Sequence, residues 1–365
     1  MKIDRNTFLA ALKTVSISSN AVGAAMEFRC VEISTIPNGI ALQTTDCDTE
    51  TRVTVPCSDV ATLDGPAVVE CTRFMSVIGG MPSGEIDIRF DGATIVARNA
   101  SVKATVMKTD LPMPHMPEIK SKESFTVGVA EFVRMIGLVE RSVAGKNESR
   151  HILKGISLEK CGGKLTAVGC DGRRCSRVKA NVSAIGGAVI LPVEYMRKLV
   201  KVLAAHEDKG IIVRMNDNAA EFVVGDGVIR TRTKLVSGAY PNIDVLFNRG
   251  ERVATVGRTD FVEALRRSLV VNTTGECRSV DLEIGGRTIA LSSGDGRDRM
   301  DMVIPAETDL GDSESIIINP DYLIDALEVL ITDRVTLFYH DCGSPVIILS
   351  EVDNCECVIM PLRVS

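Results

Sequence analysis

Between Pro192 and His206 the chain changes character at the helical pitch. At about 100° per residue, Tyr195, Met196, Leu199, Val200, Val202 and Leu203 share one arc, and Arg197, Lys198 and Lys201 share the opposite one. One face of this helix packs and the other offers positive charge to an anion. The same kind of pattern recurs. Asn6 to Ile17, Val129 to Val143 and Thr259 to Val271 each place a phenylalanine (Phe8, Phe132, Phe261) early in a helix-period apolar run, about 125 residues apart. A second set, Glu70 to Gly80, Pro192 to His206 and Asn319 to Ile331, carries Phe74, Tyr195 and Tyr322 at a similar spacing.

Around these helices the period falls to two. Glu85 to Ala97, Ile211 to Val224 and Arg334 to Leu349 alternate about turn pairs such as Asp91-Gly92 and Cys342-Gly343, and Gly155 to Ala167 alternates about Gly162-Gly163. The spacing predicts an α+β chain of three repeats, each with antiparallel sheet and two helices on one side of it. Stretches rich in Pro, Gly and Asn near Pro112–Lys122 and Gly238–Arg252 place the repeats at 1–122, 123–247 and 248–365.

Composition narrows the class. The 365 residues exceed one ordinary core, and 45% apolar with 25% charged residues are values of a water-soluble globular chain. The N-terminal apolar run is short and lacks a small-residue cleavage site, and no uninterrupted apolar run reaches about 18 residues, so a cytoplasmic protein without a membrane span is expected. Eleven cysteines contain no Cys-x-x-Cys pair, and only four histidines accompany them. Reduced structural thiols are expected rather than a metal site.

The net charge of −6 is unevenly spread. Lys and Arg against Asp and Glu number 12 to 14 in the first repeat, 19 to 13 over residues 123–245, and 11 to 21 over 246–365. Such segregation permits a local positive surface. Lys13, Arg73, Arg134, Arg141, Arg197, Lys198, Lys201, Arg266 and Arg267 all fall on the six recurring helices, whereas Asn319 to Ile331 carries Asp321, Asp325 and Glu328. A solvated polar face accounts for any one of them; their recurrence favours a shared basic surface. No phosphate-cradling glycine motif follows a strand. Asp46-Cys47-Asp48 and Asp295-Gly296-Arg297-Asp298 lack the spacing of a calcium loop and read as hairpin turns. His115, His151, His206 and His340 each stand without a local nucleophile and carboxylate pattern.

The three-repeat plan, with Thr45-Asp46, Thr109-Asp110-Leu111-Pro112, Cys170-Asp171-Gly172-Arg173-Arg174, Gly238-Ala239-Tyr240-Pro241-Asn242, Asn319-Pro320-Asp321-Tyr322-Leu323 and Val358-Ile359-Met360-Pro361-Leu362-Arg363 in order, resembles the bacterial sliding clamps, the β subunits of DNA polymerase III. The resemblance implies a head-to-tail homodimeric ring threaded by duplex DNA, without catalytic residue, metal or cofactor. Twelve helices about 10 Å across would leave a hole of roughly 28 Å, and one chain supplies six. It also implies that Lys146 and Arg150 join the DNA-facing residues. A pocket for short linear peptides of polymerase, clamp loader and repair proteins would involve Leu153, Cys170, Gly172, Arg173, Arg174, Pro241, Leu246, Asn319, Tyr322, Val358, Met360, Pro361 and Leu362. Arg98, Lys103, Leu269, Val270, Asp295 and Asp298 would lie at the dimer interface.

The chain departs from the family pattern in places. Arg173 and Cys175 stand where the family has His and Leu, which makes the pocket rim more cationic. Ser18 to Ala25 lacks the usual DNA-contacting arginine. A peptide-binding hub that does not encircle DNA, a specialised second clamp, and an enzyme on an α+β repeat remain as alternatives.

Overall fold

The computed structural model describes residues 1–19, 25–60, 65–121, 123–182, 187–271, 278–294, 297–308, 310 and 313–362. Six α-helices lie among them: α1 (Arg5–Val15), α2 (Cys71–Gly79), α3 (Val129–Val139), α4 (Val193–Leu203), α5 (Arg258–Val271) and α6 (Pro320–Glu328). Their starts follow from local chemistry. Asp4 accepts the Thr7 amide at 2.8 Å, Glu70 the Arg73 amide at 2.7 Å, and Asn319 the Asp321 amide at 2.9 Å, each satisfying a first-turn N–H that has no helical partner. Pro320 at the first position of α6 gives up no hydrogen bond there.

Three of the predicted helices run on as 3-10 turns, Ser16–Ser18, Glu140–Ser142 and Ala204–His206, where the apolar period continues but the hydrogen bonding tightens. α6 stops at Glu328, short of the predicted Ile331. Leu330 still packs, while Ile331 is 70% exposed. Phe8, Phe74, Phe132, Tyr195 and Phe261 are all core residues, and Phe8 meets Phe74 edge-on at 5.8 Å. Tyr322 differs, being only half-buried.

The chain forms two compact units, residues 1–130 with 194–235 and residues 131–193 with 236–365. The first holds an eight-stranded sheet in the order Ala67–Glu70, Cys30–Ile36, Gly39–Thr45, Thr49–Pro56, Ile229–Lys234, Ala219–Val224, Gly210–Met215, Glu123–Gly128. A four-stranded sheet, Lys2–Asp4, Glu85–Asp91, Thr94–Arg98, Lys103–Met107, completes it. The second unit holds twelve strands, in the order Gly187–Pro192, Gly155–Cys161, Lys164–Cys170, Arg174–Asn181, Cys355–Ile359, Val346–Ser350, Arg334–Tyr339, Arg252–Gly257, Arg299–Thr308, Thr288–Gly294, Val280–Gly285, Glu314–Ile318. All the pairings are antiparallel.

Repeats and units divide the chain differently because the sheets run across repeats. In each unit one seam joins neighbouring copies: Thr49–Pro56 pairs with Ile229–Lys234, and Arg174–Asn181 pairs with Cys355–Ile359. The first seam carries a buried hydroxyl cluster. The Tyr195 hydroxyl meets Thr231 Oγ1, Thr51 Oγ1 (3.2 Å) and Ser18 Oγ (3.4 Å), and burial pushes its pKa up. These contacts give a buried phenol the partners it needs.

Candidate partner-binding surface and cationic helix faces

In the second unit the hairpin Lys164–Asn181 turns at Asp171. The Asp171 carboxylate accepts the amides of Arg173 (2.8 Å) and Arg174 (2.9 Å), a side-chain turn mimic, and Gly172 takes φ +86°. A Cβ at Gly172 would also come within 2.7 Å of the Arg150 guanidinium. Arg174 is held by Asp171 Oδ2 (3.1 Å) and Asp325 Oδ2 (2.6 Å), with its guanidinium 4.5 Å from the centre of the Tyr322 ring. That stacking explains why Tyr322 is not a core residue: its face serves a cation.

The chain end closes the same region. The Met360 amide donates to Arg173 O at 2.9 Å and the Leu362 amide to Ile317 O at 2.7 Å. Beneath lies an apolar cluster that includes Leu153, Val168, Cys170, Cys175, Phe247, Ile347 and Val358, with Tyr240, Ile243 and Leu246 partly buried against it. Leu153, Cys170 and Val358 are covered here, so their part is to form a floor. Pro241, Gly172, Arg173 and Met360 are exposed above it, and Pro361 and Leu362 are half-buried. The Cys175 thiol, and less strongly the Gly172 amide, donate towards Cys170 and draw its pKa down to about 7, while the same contact and burial push Cys175 up. Tyr240, Ile243 and Phe247 were not among the expected pocket residues. Tyr240 sits inside the quoted Gly-Ala-Tyr-Pro-Asn stretch, and its wide ring was the available signal.

The expected cationic residues divide by partner. Lys13, Arg73 and Lys201 are exposed and carry no ion pair among the described residues. Lys198 is exposed and donates to Ile17 O at 3.4 Å. Arg197 pairs with Glu194 and Arg267 with Glu263, each on its own helix; Arg150 pairs with Glu148, and Lys146 is exposed. Arg134 is bound by Glu131 and by Asp353 O at 2.7 Å. The acidic residues of α6 do more than interrupt a basic lining. Glu328 accepts from Arg141 at 2.7 Å and from Arg266 at 2.6 Å, and Asp325 bridges Arg141 (3.4 Å) to Arg174.

Those two arginines hold the Glu328 carboxyl below its ordinary pKa, chiefly through the Arg141 hydrogen bond. A depressed carboxylate pKa contributes stability above the ordinary carboxylate range and loses it as pH falls through the depressed value. Glu328→Gln is therefore expected to lower stability by about 0.5–1 kcal/mol near neutrality, the range for partly exposed pairs. The deficit should shrink as pH falls below the ordinary carboxylate range and vanish below the depressed value; urea titrations near neutrality and at successively lower pH check this, and a deficit that does not change with pH would reject the pair.

Among the interface candidates, Arg98 and Lys103 face each other at one end of the last two strands of the four-stranded sheet, and Lys103–Met107 is that sheet's edge. Val270 is 67% exposed, Leu269 half-buried and Asp298 exposed just before Arg299–Thr308. Asp295 lies outside the described residues, as do most of Ser18 to Ala25 and the last three residues.

Antiparallel sheets seamed across sequence repeats, helices carrying basic residues and an apolar cluster at one seam define the clamp class of fold. Residues 126–242 match the family description "DNA polymerase III beta subunit, central domain" and residues 244–363 match "DNA polymerase III beta subunit, C-terminal domain". The chain belongs to the DNA polymerase III beta subunit family. It is 22% identical to a beta sliding clamp of Rickettsia felis over 99% of both chains, and 25% identical to that of Pseudomonas aeruginosa over 89% of both. The crystal structure of the beta subunit from DNA polymerase of Streptococcus pyogenes superposes with a TM-score of 0.92 at 20% identity, covering 100% of this chain and 99% of that one.

Proposed function

We propose that two copies of this chain close head to tail into a ring around duplex DNA. The ring holds a DNA polymerase, and by turns a clamp loader and repair proteins, through short linear peptides seated above Leu153, Cys170 and Val358. The chain acts in the cytoplasm, as three clamp domains at 1–122, 123–247 and 248–365, and performs no catalysis of its own.

The observation that carries the reading, beside family membership, is the seam. Twice, a strand of one repeat pairs with the closing hairpin of the next. A third instance would need the closing hairpin of the first repeat and the corresponding strand of the third. Lys103–Met107 is an edge strand, and residues 299–305 pair on one side only. Met107 and Val303 on these edges are 65% and 66% exposed. Open edges with exposed apolar side chains call for a partner, and a closed two-fold arrangement satisfies both at once. Lys13, Arg73, Lys198 and Lys201 supply charge that attracts phosphates without reading bases, as sliding requires.

Topology separates this reading from simple DNA affinity. After loading onto nicked circular plasmid, the protein is expected to stay bound through gel filtration and to be released when the plasmid is cut once. Its mass in solution should be that of a dimer. Equal release from circles and linear DNA, or a monomer that binds peptides, would replace the ring with a peptide-binding hub.

A further inference from the structure

The seam of the first unit carries a cavity that the seam of the second lacks the charges to build. In the second, Arg177 stands opposite Glu356, bonded to it at 2.6 Å and covered by the Phe247 ring at 3.8 Å. In the first, Arg52 stands directly opposite Arg230. Like charges opposite each other on neighbouring strands oppose pairing. Arg52 donates to the neutral amide of Gln43 at 3.2 Å and has no ion pair among the described residues. The nearest carboxylate oxygen to Arg230 is that of Glu221 at 3.9 Å, and Glu221 is already bound by Arg232 (3.0 Å) and Arg214 (3.2 Å).

Both arginines line a cavity of about 490 Å³. Glu50 on its wall is committed to the Met116 amide (2.8 Å) and Arg232 (3.3 Å), so its charge is answered within the protein. His115, also on the wall, accepts at Nδ1 from Gln43 Nε2 at 2.7 Å and stands 3.6 Å from Glu32 and 3.9 Å from Glu50. Glu118 is an exposed carboxylate on the lining. One part of the cavity therefore holds two underneutralised guanidinium forks, and another holds, in Glu118, an acceptor with no cation paired to it among the described residues.

We infer that this cavity binds a nucleoside phosphate, its phosphate oxygens taken by Arg52 and Arg230 and its N–H or O–H donors by Glu118. Guanidinium forks match phosphate geometry two bonds at a time, and an anion placed across the pair removes the repulsion that the bare seam carries. The volume exceeds what a free phosphate fills, which leaves room for the sugar and base.

Calorimetric titration of the full-length protein with ADP, AMP and inorganic pyrophosphate, at ionic strength matched with sodium chloride, tests it. ADP is expected to bind one per chain and to raise the melting temperature, with pyrophosphate weaker. Arg52→Gln should weaken ADP at least tenfold and leave the melting temperature of the ligand-free protein unchanged or higher, because one of two like charges is gone. Arg52→Lys, which keeps the charge without the fork, should fall between the two, and Glu118→Gln should weaken ADP while sparing pyrophosphate. No saturable binding of ADP, undiminished binding by Arg52→Gln, or a loss of ligand-free stability in both Arg52 variants would overturn the assignment.

Discussion

Gly169→Ala is expected to destabilise the second unit by about 3 kcal/mol, the upper part of the range for forcing an extra carbon into a packed interior. A Cβ at residue 169 would sit 2.2 Å from Val139 O, 3.1 Å from Val139 C and 3.0 Å from Val143 Cγ2. Two of those atoms are backbone at the end of α3, so no rotamer change relieves the clash. The 3-10 turn that follows α3 is itself pinned to the sheet, Ser142 Oγ lying 2.6 Å from Ser176 Oγ, directly across the ladder from Gly169. α3 would have to lift from the strand or the strand bend. Gly137→Ala, inside α3 where an added Cβ meets nothing within 4 Å, is the matched control. It should stabilise by about 0.5–1 kcal/mol, the gain of alanine over glycine in a helix interior. Urea denaturation followed by circular dichroism measures both, and a Gly169→Ala midpoint equal to the parent's would show that α3 does not rest on this strand as described.

Combining Tyr322→Ala with Met360→Ala is expected to weaken binding of a cognate polymerase's clamp-contacting peptide about 1,000-fold, with the fold intact. Interface energy concentrates in a few aromatic and long apolar anchors that keep water from neighbouring bonds, each worth about 2 kcal/mol or more when truncated. Met360 is 38% exposed above the Leu153, Cys170 and Val358 floor, and its flexible thioether adapts to differing side chains. Tyr322 offers its ring to Arg174, which Asp171 and Asp325 still hold after truncation, so its loss removes contact area rather than releasing a buried charge. Fluorescence anisotropy with labelled peptide, beside Ile331→Ala as a variant of a 70% exposed residue elsewhere, separates outcomes. Unchanged affinity in the double variant would move the peptide to another surface.

Much of the chain was legible because its period is. Leu199 and Leu203 are buried and Lys201 is exposed, as the pattern from Pro192 to His206 requires, and Gly162-Gly163 does turn a hairpin, both glycines at positive φ. Asp46-Cys47-Asp48 is a turn as well, the Asp46 carboxylate accepting the amides of Asp48 and Thr49. Tyr322 keeps the spacing of Phe74 and Tyr195 yet lies half-buried against Arg174, because a period reports which face a residue occupies and not whether that face meets leucine or arginine.

Six helices, three repeats and the clamp family were determined by the sequence alone, since amphipathic period and turn chemistry act over a few residues and repeat along the chain. Partnership over long separations was decided only by the tertiary structure. Nothing local tells Arg141 and Arg266 that Glu328 waits for both, or sets Arg52 against Arg230 but Arg177 against Glu356. The strand pairs depend on the register of strands from different repeats, and the Glu328 pairs on how α5, α6 and the turn after α3 pack, which many small contacts choose together and no single stretch of sequence encodes.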